Sequence, residues 1–409
     1  MSNNVLACFD GHSGGRIAFE ALGITPGKYY ASEVDKYAIE GSMAVFPDTI
    51  QLGDITRWRE WTIDWCSLDW FIGGSPCQGF SMAGKMAGTT AVLNGEKIVV
   101  DSREKYLYLK SAGAEFLSQS YLFWEYILCL DFVKMCNPKI KFFLENVKMK
   151  KEFLDLISNA IGVDPIFINS ALVSAQNRQR YYWCNWFTFQ PKDKGVVLKD
   201  ILESEVESSF FHTDSAINYM QQGNEKWQQA GARRADRYTQ SEDKEKSFCL
   251  TANMHKGVPY NYLEVKGQAY NRKDGLGQEL DKAYPLNASD WRGLNRNQTQ
   301  TAVVKCAAQR GRYNDNGKIQ QQFEVRKDDK TNSLTTVKKD NFVMTTERLK
   351  NIHYRKLTPR ECGRLQTIPE DILDTLLSAG ISNSQLYKMF GNGWTIDVIA
   401  HIFKQGIEQ

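Results

Sequence analysis

The sequence predicts an α/β protein with a doubly wound, mostly parallel sheet and a second, irregular mixed domain. Residues 70–72 form an apolar run that ends at two glycines, as a buried parallel strand does before a loop. Residues 5–9 form a similar run, followed by a glycine turn and a helical segment at 16–22. The chain has 409 residues, more than a single core usually holds, so we expect two domains.

Composition and charge exclude several classes of protein. Hydrophobic residues make up 42% of the chain, and a net charge of +3 is too small to identify a nucleic-acid binder by itself. The nine cysteines are scattered and form no Cys-x-x-Cys pair, which argues against a zinc site or disulfide framework. No signal-peptide pattern is present, and the apolar-rich run at 121–133 is too short to span a bilayer. These features predict a cytoplasmic protein.

Glycine-rich or acidic residues follow the first three predicted strands. A glycine turn at 10–15 follows the first strand, Glu33 ends the second at 29–32, and Asp54 follows the third. Each carboxylate alone could equally be solvated. Because the carboxyl ends of parallel strands meet at one edge of the sheet, the three together predict an adenosine pocket.

Cys77 follows the fourth predicted strand, directly after Pro76. It is either a small buried core residue or a nucleophilic thiolate presented at the strand end. The next segment, 79–117, has no sustained period, which predicts an irregular stretch that is either a mobile active-site lid or a disordered insert. A packing helix is expected at 121–136.

The next elements bring a carboxylate and two arginines to further strand ends. Glu145 ends a buried strand at 141–144 and would lie near Cys77 if the two strands are neighbours. After a helix at 150–161 and a strand at 166–172, Arg178 and Arg180 precede the aromatic strand at 181–183. Their alternate spacing puts both on one face of an extended segment.

The composition changes after Pro191. Residues 196–345 are rich in Gln, Asn, Thr, Gly and Lys, and βα alternation disappears. Within this region, 291–312 carries five cations and no acidic residue, which suits phosphate and base-edge contacts but also fits a solvated basic face. Order returns at 358–361, a capping box at the start of a helix, and the last helices follow to 403.

Seven segments, in this order, resemble the motifs of the DNA (cytosine-5) methyltransferase family. They are Phe9-Asp10-Gly11-x-Ser13-Gly14, Glu33 with Asp54, Gly74-Ser75-Pro76-Cys77-Gln78, Glu145-Asn146-Val147, Gln176-x-Arg178-x-Arg180, 355–366 and 382–394. The resemblance covers nearly the whole chain apart from its middle. The first motifs look closest to the animal de novo branch, and the long middle region looks more like bacterial and phage enzymes.

The resemblance implies a Rossmann-like domain that binds S-adenosylmethionine, releases S-adenosylhomocysteine and holds no metal. Its cofactor-binding residues would be Phe9, Asp10, Gly11, Ser13, Gly14, Glu33, Val34, Asp54, Ile55, Gly74, Pro76, Leu122, Asn392 and Trp394. Double-stranded DNA would be contacted by Gln78, Ser81, Lys85, Arg292, Arg296, Arg310 and Arg312.

The resemblance also implies a mechanism on a cytosine flipped out of the duplex, because C6 cannot be reached in the stack. Cys77 would add to C6, and Glu145 would hydrogen-bond the N3/N4 edge. Arg180, with or without Arg178, would hold O2 and orient Glu145. After methyl transfer to C5, loss of the C5 proton and release of Cys77 would restore the ring. Residues 79–117 would be the lid.

Two departures from the family pattern stand out. No arginine-containing stretch precedes Leu122, and Gly393 stands where a serine commonly follows the asparagine. A missing hydroxyl beside the donor pocket predicts looser cofactor binding or acceptance of a modified methyl donor.

Together these features predict a catalytic domain at 1–195, completed by 384–409, and a target-recognition domain at 196–383 that includes the closing motif at 355–366. The leading function is sequence-specific methylation of cytosine C5 in DNA, in restriction-modification or phage protection. The alternatives are a transfer-RNA cytosine-5 methyltransferase and a catalytically inactive DNA-binding relative. We expect a monomer in the cytoplasm of a bacterial or phage-infected cell.

Overall fold

The computed structural model divides the chain into two compact units. The first comprises Met1–Leu202, Asp243–Asn261 and Leu357–Gln409, and the second Glu203–Glu242 and Tyr262–Lys356. Within them the structure describes residues 3–76, 79–80, 89–210, 240–241, 246–247, 249–256, 263–265, 268–271, 275–279, 307–313, 319–325 and 353–409. Residues 243–261 and 357–383, which the sequence places in the target-recognition domain, thus belong to the first unit.

The first unit contains ten strands and nine α-helices among the residues described. The strands are β1 (Val5–Cys8), β2 (Tyr29–Ser32), β3 (Ile50–Gln51), β4 (Trp70–Gly73), β5 (Thr90–Leu93), β6 (Glu96–Val99), β7 (Glu115–Phe116), β8 (Lys141–Val147), β9 (Ile166–Asn169) and β10 (Gln179–Cys184). The helices are α1 (Gly14–Ala21), α2 (Lys36–Val45), α3 (Arg103–Ser111), α4 (Leu122–Cys136), α5 (Lys151–Ile161), α6 (Pro359–Leu365), α7 (Glu370–Ser378), α8 (Asn383–Asn392) and α9 (Ile396–Glu408).

Seven of these strands form one sheet in the order β3-β2-β1-β4-β8-β10-β9. Strands β3, β2, β1, β4 and β8 are parallel, whereas β10 is antiparallel to both of its neighbours. The order reverses at β1, because the chain moves outward to β3 and then returns to β4 on the other side. Ligands bind beyond the carboxyl ends of the strands at such a reversal. The predicted doubly wound α/β fold is confirmed.

The sheet is buried on both faces, which explains why its central strands read as continuous apolar runs. All four residues of β1 and of β4 are buried. On one face the aromatic rings of Phe19 (α1), Trp70 (β4) and Phe403 (α9) pack together, with centroids of Phe19 and Phe403 4.7 Å apart. The C-terminal helix is therefore part of the same core as the first strand and helix.

The segment at 89–117 is ordered, and the prediction of an irregular stretch is wrong there. Strands β5, β6 and β7 form a small antiparallel sheet, and α3 lies between β6 and β7 in the chain. Strands β5 and β6 are joined by Asn94-Gly95, both with positive φ (52° and 84°), which is the two-residue turn that matches strand twist. Buried Tyr106 and Leu109 anchor α3 to the main core.

Helix α6 begins at the predicted capping box. Thr358 accepts a hydrogen bond from the Glu361 N–H, and the Glu361 carboxylate accepts one from the Thr358 N–H at 2.8 Å. The N-cap threonine and the proline at the first helical position fix where the helix starts.

The described residues of the second unit that have regular structure form strands, apart from one short 3-10 helix at Ser208–Phe210. Strands β11 (Gln240–Ser241), β12 (Leu263–Val265) and β17 (His353–Arg355) form a three-stranded sheet. Two antiparallel hairpins join β13 (Gln268–Asn271) to β14 (Gly275–Glu279) and β15 (Ala307–Tyr313) to β16 (Ile319–Val325). Arg310 and Arg312 lie in β15.

Candidate active site

A cavity of about 630 Å³ opens beyond the carboxyl ends of the parallel strands in the first unit. It is lined by thirteen of the fourteen residues predicted to bind cofactor, all except Ser13, and by Glu145, Arg178 and Arg180. Residues of α8 and the turn after it complete the wall. The strand ends, the strand carrying Glu145 and the C-terminal segment thus share one site.

The turn after β1 is built from unusual backbone conformations. Phe9, Gly11 and Ser13 have φ of 59°, 59° and 64°, and left-handed conformations of this kind are costly for residues other than glycine. The turn is held to β2, because Phe9 N–H donates to the Ser32 carbonyl at 2.8 Å and Gly11 N–H donates to Glu33 Oε2 at 2.8 Å. Strain retained beside a cavity indicates a binding function.

Glu33 and Asp54 hold the backbone around the cavity. Glu33 Oε1 accepts hydrogen bonds from the N–H groups of Val34 and Asp35 at 2.7 and 2.8 Å. Asp54 caps the short helix Ile55–Glu60, accepting from the Thr56 N–H at 2.8 Å. Each carboxylate oxygen can accept a further hydrogen bond, so both remain able to bind a ligand's hydroxyl or amino groups.

The side chains of Asp10 and Ser13 are bonded within the protein, so any contact of these two residues with a cofactor would come from their backbone. Asp10 lines the cavity, but its two oxygens accept hydrogen bonds from Tyr29 Oη at 2.6 Å and Ser13 Oγ at 2.7 Å. Ser13 is fully buried and also bonds Ser42. Burial raises the pKa of Asp10 to about 7, although the two hydroxyl donors oppose the rise. The side chains of Asp10 and Ser13 thus stabilise the turn after β1 by hydrogen bonds within the protein.

Glu145 is the carboxylate at the centre of the site. Its Oε1 lies 2.9 Å from Arg180 Nε, and its Oε2 accepts a hydrogen bond from Trp394 Nε1 at 3.1 Å. The register explains the ion pair, because Tyr182 on β10 lies opposite Glu145 and Arg180 is two residues away on the same face. Gly74 leaves room for this arrangement, since a Cβ there would lie 2.9 Å from Trp394 Nε1.

Arg178 is buried and bonded to the protein itself. Its guanidinium donates to the carbonyl oxygens of Gly393 at 2.7 Å and of Gly391 and Leu250 at 3.3 Å each. It therefore ties the turn after α8 to the segment around residue 250. The catalytic role expected for Arg178 beside Arg180 stays a prediction, and in this structure its guanidinium bonds backbone carbonyls.

Cys249 lies beside both arginines and was not predicted as a site residue. Its Sγ is 3.4 Å from Arg178 Nη1 and 3.9 Å from Arg180 Nη2. Burial raises the pKa of this thiol, but the two guanidiniums outweigh that effect and lower the pKa below its ordinary value. The cavity wall includes six residues that were not predicted individually as site residues: His12, Tyr37, Gln119, Gln385, Lys388 and Met389.

The backbone on both sides of the Pro-Cys segment is fixed. Ser120 Oγ donates to the Pro76 carbonyl at 3.1 Å and accepts from the Gly79 N–H at 2.8 Å. Asn146 donates to Ser75 Oγ at 3.0 Å, which links this segment to the end of β8. The predicted nucleophile Cys77 and the predicted DNA contacts Gln78, Ser81, Lys85, Arg292 and Arg296 lie outside the described residues.

The described residues form neither a metal-binding cluster nor a membrane-spanning helix. In the part of the chain that the structure describes, no three His, Cys, Asp or Glu side chains are grouped so that they could hold a metal ion. Within the same residues, no helix combines the length and apolar character needed to cross a membrane.

Sequence and structure comparisons identify similar proteins. The family described as C-5 cytosine-specific DNA methylase matches residues 4–101 and 172–408. The orphan methyltransferase M.SPRI of Bacillus phage SPR is 28% identical, over 98% of this chain and 96% of that protein. The type II methyltransferase M1.ScrFI of Lactococcus lactis subsp. cremoris is 26% identical, over 93% of this chain and 72% of that protein.

Solved structures share the fold. A mutant of DNMT2 from Spodoptera frugiperda has a TM-score of 0.54 and 16% identity, with 99% of each chain covered. The methyltransferase EhMeth of Entamoeba histolytica has a TM-score of 0.54 and 13% identity, covering 100% of this chain and 98% of that one.

Proposed function

Because this chain belongs to the C-5 cytosine-specific DNA methylase family and is a DNA cytosine methyltransferase, we propose the following reaction for it. It methylates C5 of a cytosine flipped out of double-stranded DNA at a specific sequence, using S-adenosylmethionine and a covalent bond between Cys77 and C6. The proposal depends most on the position of the Glu145 carboxylate. Arg180 and Trp394 hold it in the wall of a cavity that the turn after β1 also lines.

The residues present fit S-adenosylmethionine. The cavity places Glu33 and Asp54 at strand ends, where a ribose and an adenine would be bound, and its wall includes the N-terminus of α1. It also contains a buried ring nitrogen, Nε2 of His12, with no hydrogen-bond partner among the described residues. When bound, the cofactor would supply an electrophilic methyl group.

The side chains of this chain would then act on the cytosine ring. Glu145 would accept a hydrogen bond from the N4 amino group and share a proton with N3, which would neutralise the negative charge that develops there when Cys77 adds to C6. Arg180 would hold O2, and its Nε contact with Glu145 at 2.9 Å fixes the direction of the carboxylate. Trp394 would restrain the other carboxylate oxygen. Breaking the Cys77–C6 bond as the C5 proton leaves would return the thiolate.

Methyl transfer and covalent trapping test the proposal. Label should pass from methyl-labelled S-adenosylmethionine to unmethylated duplex DNA, and not to transfer RNA, and Cys77→Ala should abolish transfer. Duplex DNA containing 5-fluorocytosine should trap the wild-type enzyme, because the fluorine cannot leave as the C5 proton does. Trapping of Cys77→Ala, or preferential labelling of transfer RNA, would contradict the proposal.

Sequence specificity and phage context follow from the same relatives. Because the matched proteins include orphan phage methyltransferases and a type II methyltransferase, we propose that this chain marks a defined DNA sequence, either beside a restriction enzyme or on a phage genome. Mapping of the methylated cytosines in DNA treated with the enzyme would give that sequence, and scattered modification without a motif would refute it.

A further inference from the structure

His12 occupies the space that a side chain at position 393 would need. A Cβ built on Gly393 would lie 2.3 Å from His12 Cε1 and 3.2 Å from His12 Nδ1. The backbone of Gly393 does not require glycine, because its φ of −68° and ψ of 171° are accessible to any residue. Glycine is therefore needed at this position for space, and the imidazole of His12 is what fills it.

The His12 imidazole lines the cavity and has a buried nitrogen without a hydrogen-bond partner among the described residues. The ring is 1% exposed, lines the cavity and packs edge-on against Phe390 with centroids 5.8 Å apart. Its Nε2 is buried and has no hydrogen-bond partner within the described parts of the chain. Buried polar atoms are nearly always bonded, so an unbonded one on a ring that lines a binding cavity indicates a ligand group.

The surroundings of His12 favour an anionic ligand group. His12 lies two positions before Gly14, the first residue of α1. The first N–H groups of a helix have no partner inside the helix and attract negative charge. Burial lowers the pKa of His12 to about 4, so the ring is neutral at pH 7 and carries one N–H. S-adenosylmethionine has one anionic group, the carboxylate of its amino-acid end.

We propose that His12 is a donor-binding residue of this enzyme, whose Nε2–H donates a hydrogen bond to the carboxylate of S-adenosylmethionine, and that Gly393 exists to admit the ring. The proposal rests on the proposed function, since it takes S-adenosylmethionine as the donor. It also changes the interpretation of Gly393. The absent side chain leaves no extra room for a modified methyl donor, because the His12 ring already occupies that volume.

Calorimetric binding of two ligands tests the role of His12 without any turnover. S-adenosylhomocysteine has the amino-acid end, whereas 5′-methylthioadenosine has the same adenosine and sulfur without it. We expect His12→Leu to weaken S-adenosylhomocysteine binding about tenfold, as for loss of one hydrogen bond to a charged group, and to leave 5′-methylthioadenosine binding unchanged. His12→Gln, which keeps an N–H donor, should recover part of the loss.

A double-mutant cycle tests the pairing with Gly393. Gly393→Ala alone should weaken S-adenosylhomocysteine binding more than tenfold, because the new methyl group collides with the ring. His12→Ala with Gly393→Ala should bind better than Gly393→Ala alone, since the collision is gone. Purely additive losses, or equal losses of both ligands in His12→Leu, would overturn the inference. Failure of the wild type to bind either ligand would instead overturn the proposed function, and the inference with it.

Discussion

Replacement of Trp394 by phenylalanine removes one hydrogen bond from Glu145 and leaves the rest of its surroundings in place. The indole N–H donates to Glu145 Oε2 at 3.1 Å, while Arg180 stays 2.9 Å from the other oxygen. A phenylalanine ring keeps the edge-to-face contact with Phe143, whose ring centroid lies 5.4 Å from that of Trp394. The variant should therefore fold and bind donor.

The expected loss of rate follows from the charge on the acceptor. A hydrogen bond to a charged group contributes about 1.5–3 kcal/mol, and each 1.36 kcal/mol in the activation free energy is about tenfold in rate. If the Trp394–Glu145 hydrogen bond keeps Glu145 in the orientation that the reaction needs, its loss should lower kcat about 10- to 100-fold. The KM for DNA should change less, because Trp394 would act through Glu145 rather than on the duplex.

Single-turnover methyl transfer on duplex DNA, with the melting temperature measured in parallel, is the assay. Trp183→Phe is the control, because it also removes an indole N–H that donates to one acceptor. Trp183 on β10 is fully buried, whereas Trp394 is partly exposed, and Trp183 Nε1 donates to Ser158 Oγ at 3.0 Å, away from the cavity. It should lose stability and keep its rate. A Trp394→Phe rate within twofold of wild type, or an equal loss in Trp183→Phe, would refute the reasoning.

Three further predictions concern stability, each measured by urea unfolding. Burial raises the pKa of Asp10 from 3.8 to about 7, so its contribution to stability should be largest below pH 4 and should be lost as the pH rises through 7. Compared with the wild type, Asp10→Asn should therefore gain relative stability by roughly 3–4 kcal/mol between pH 4 and pH 7, and an unchanged difference between the two proteins over this range would contradict it. Glu125 is fully buried and bonds Lys110, Tyr106 and Trp58. Glu125→Gln should therefore lower the free energy of unfolding by about 1–3 kcal/mol. Replacement of the exposed Glu60 by Gln is the control and should cost nothing measurable. Thr358→Ala removes the N-cap of α6 and should lower the free energy of unfolding by about 1 kcal/mol. If the loss were no larger than that of Thr375→Ala, at a threonine that caps no helix, the cap would not stabilise the fold.

The central sheet could be predicted because its signals are local. A strand buried on both faces reads as an apolar run, and the residues after it read as a turn, so β1, β2 and β4 were predicted within a residue of their observed ends. The sequence predicts that Glu145 lies near the segment before Cys77 if their two strands are neighbours, and β4 does pair with β8. The fold class needed no information beyond these patterns.

The segment at 89–117 contains a local signal that hydrophobic periodicity does not reveal. Asn94-Gly95 between two short strands is among the strongest sequence indications of a hairpin, yet the polar residues around it read as an irregular loop. The strands are only four residues long and partly exposed, so their alternation is weak. Here the turn residues carried more information than hydrophobicity.

The contacts of Arg178, Cys249 and His12 could not be predicted, because each depends on which distant segments meet. Nothing near Arg178 in sequence shows that its guanidinium bonds the carbonyl of Gly393. Likewise, the space taken by His12 is set by a glycine more than 380 positions away along the chain. Pairwise fit of this kind is a property of tertiary packing, which composition and periodicity do not encode.

The turn at 391–394 also bears on when the enzyme becomes active during its synthesis. It supplies Trp394 to Glu145 and the carbonyl groups that hold Arg178, and Gln366 anchors it through the Phe390 carbonyl at 2.6 Å. A ribosome makes this turn after every other segment that lines the cavity. Until then Glu145 lacks one of its two restraints, and Arg178 lacks the acceptors at Gly391 and Gly393. The cavity can therefore be completed only when the last part of the chain has been made.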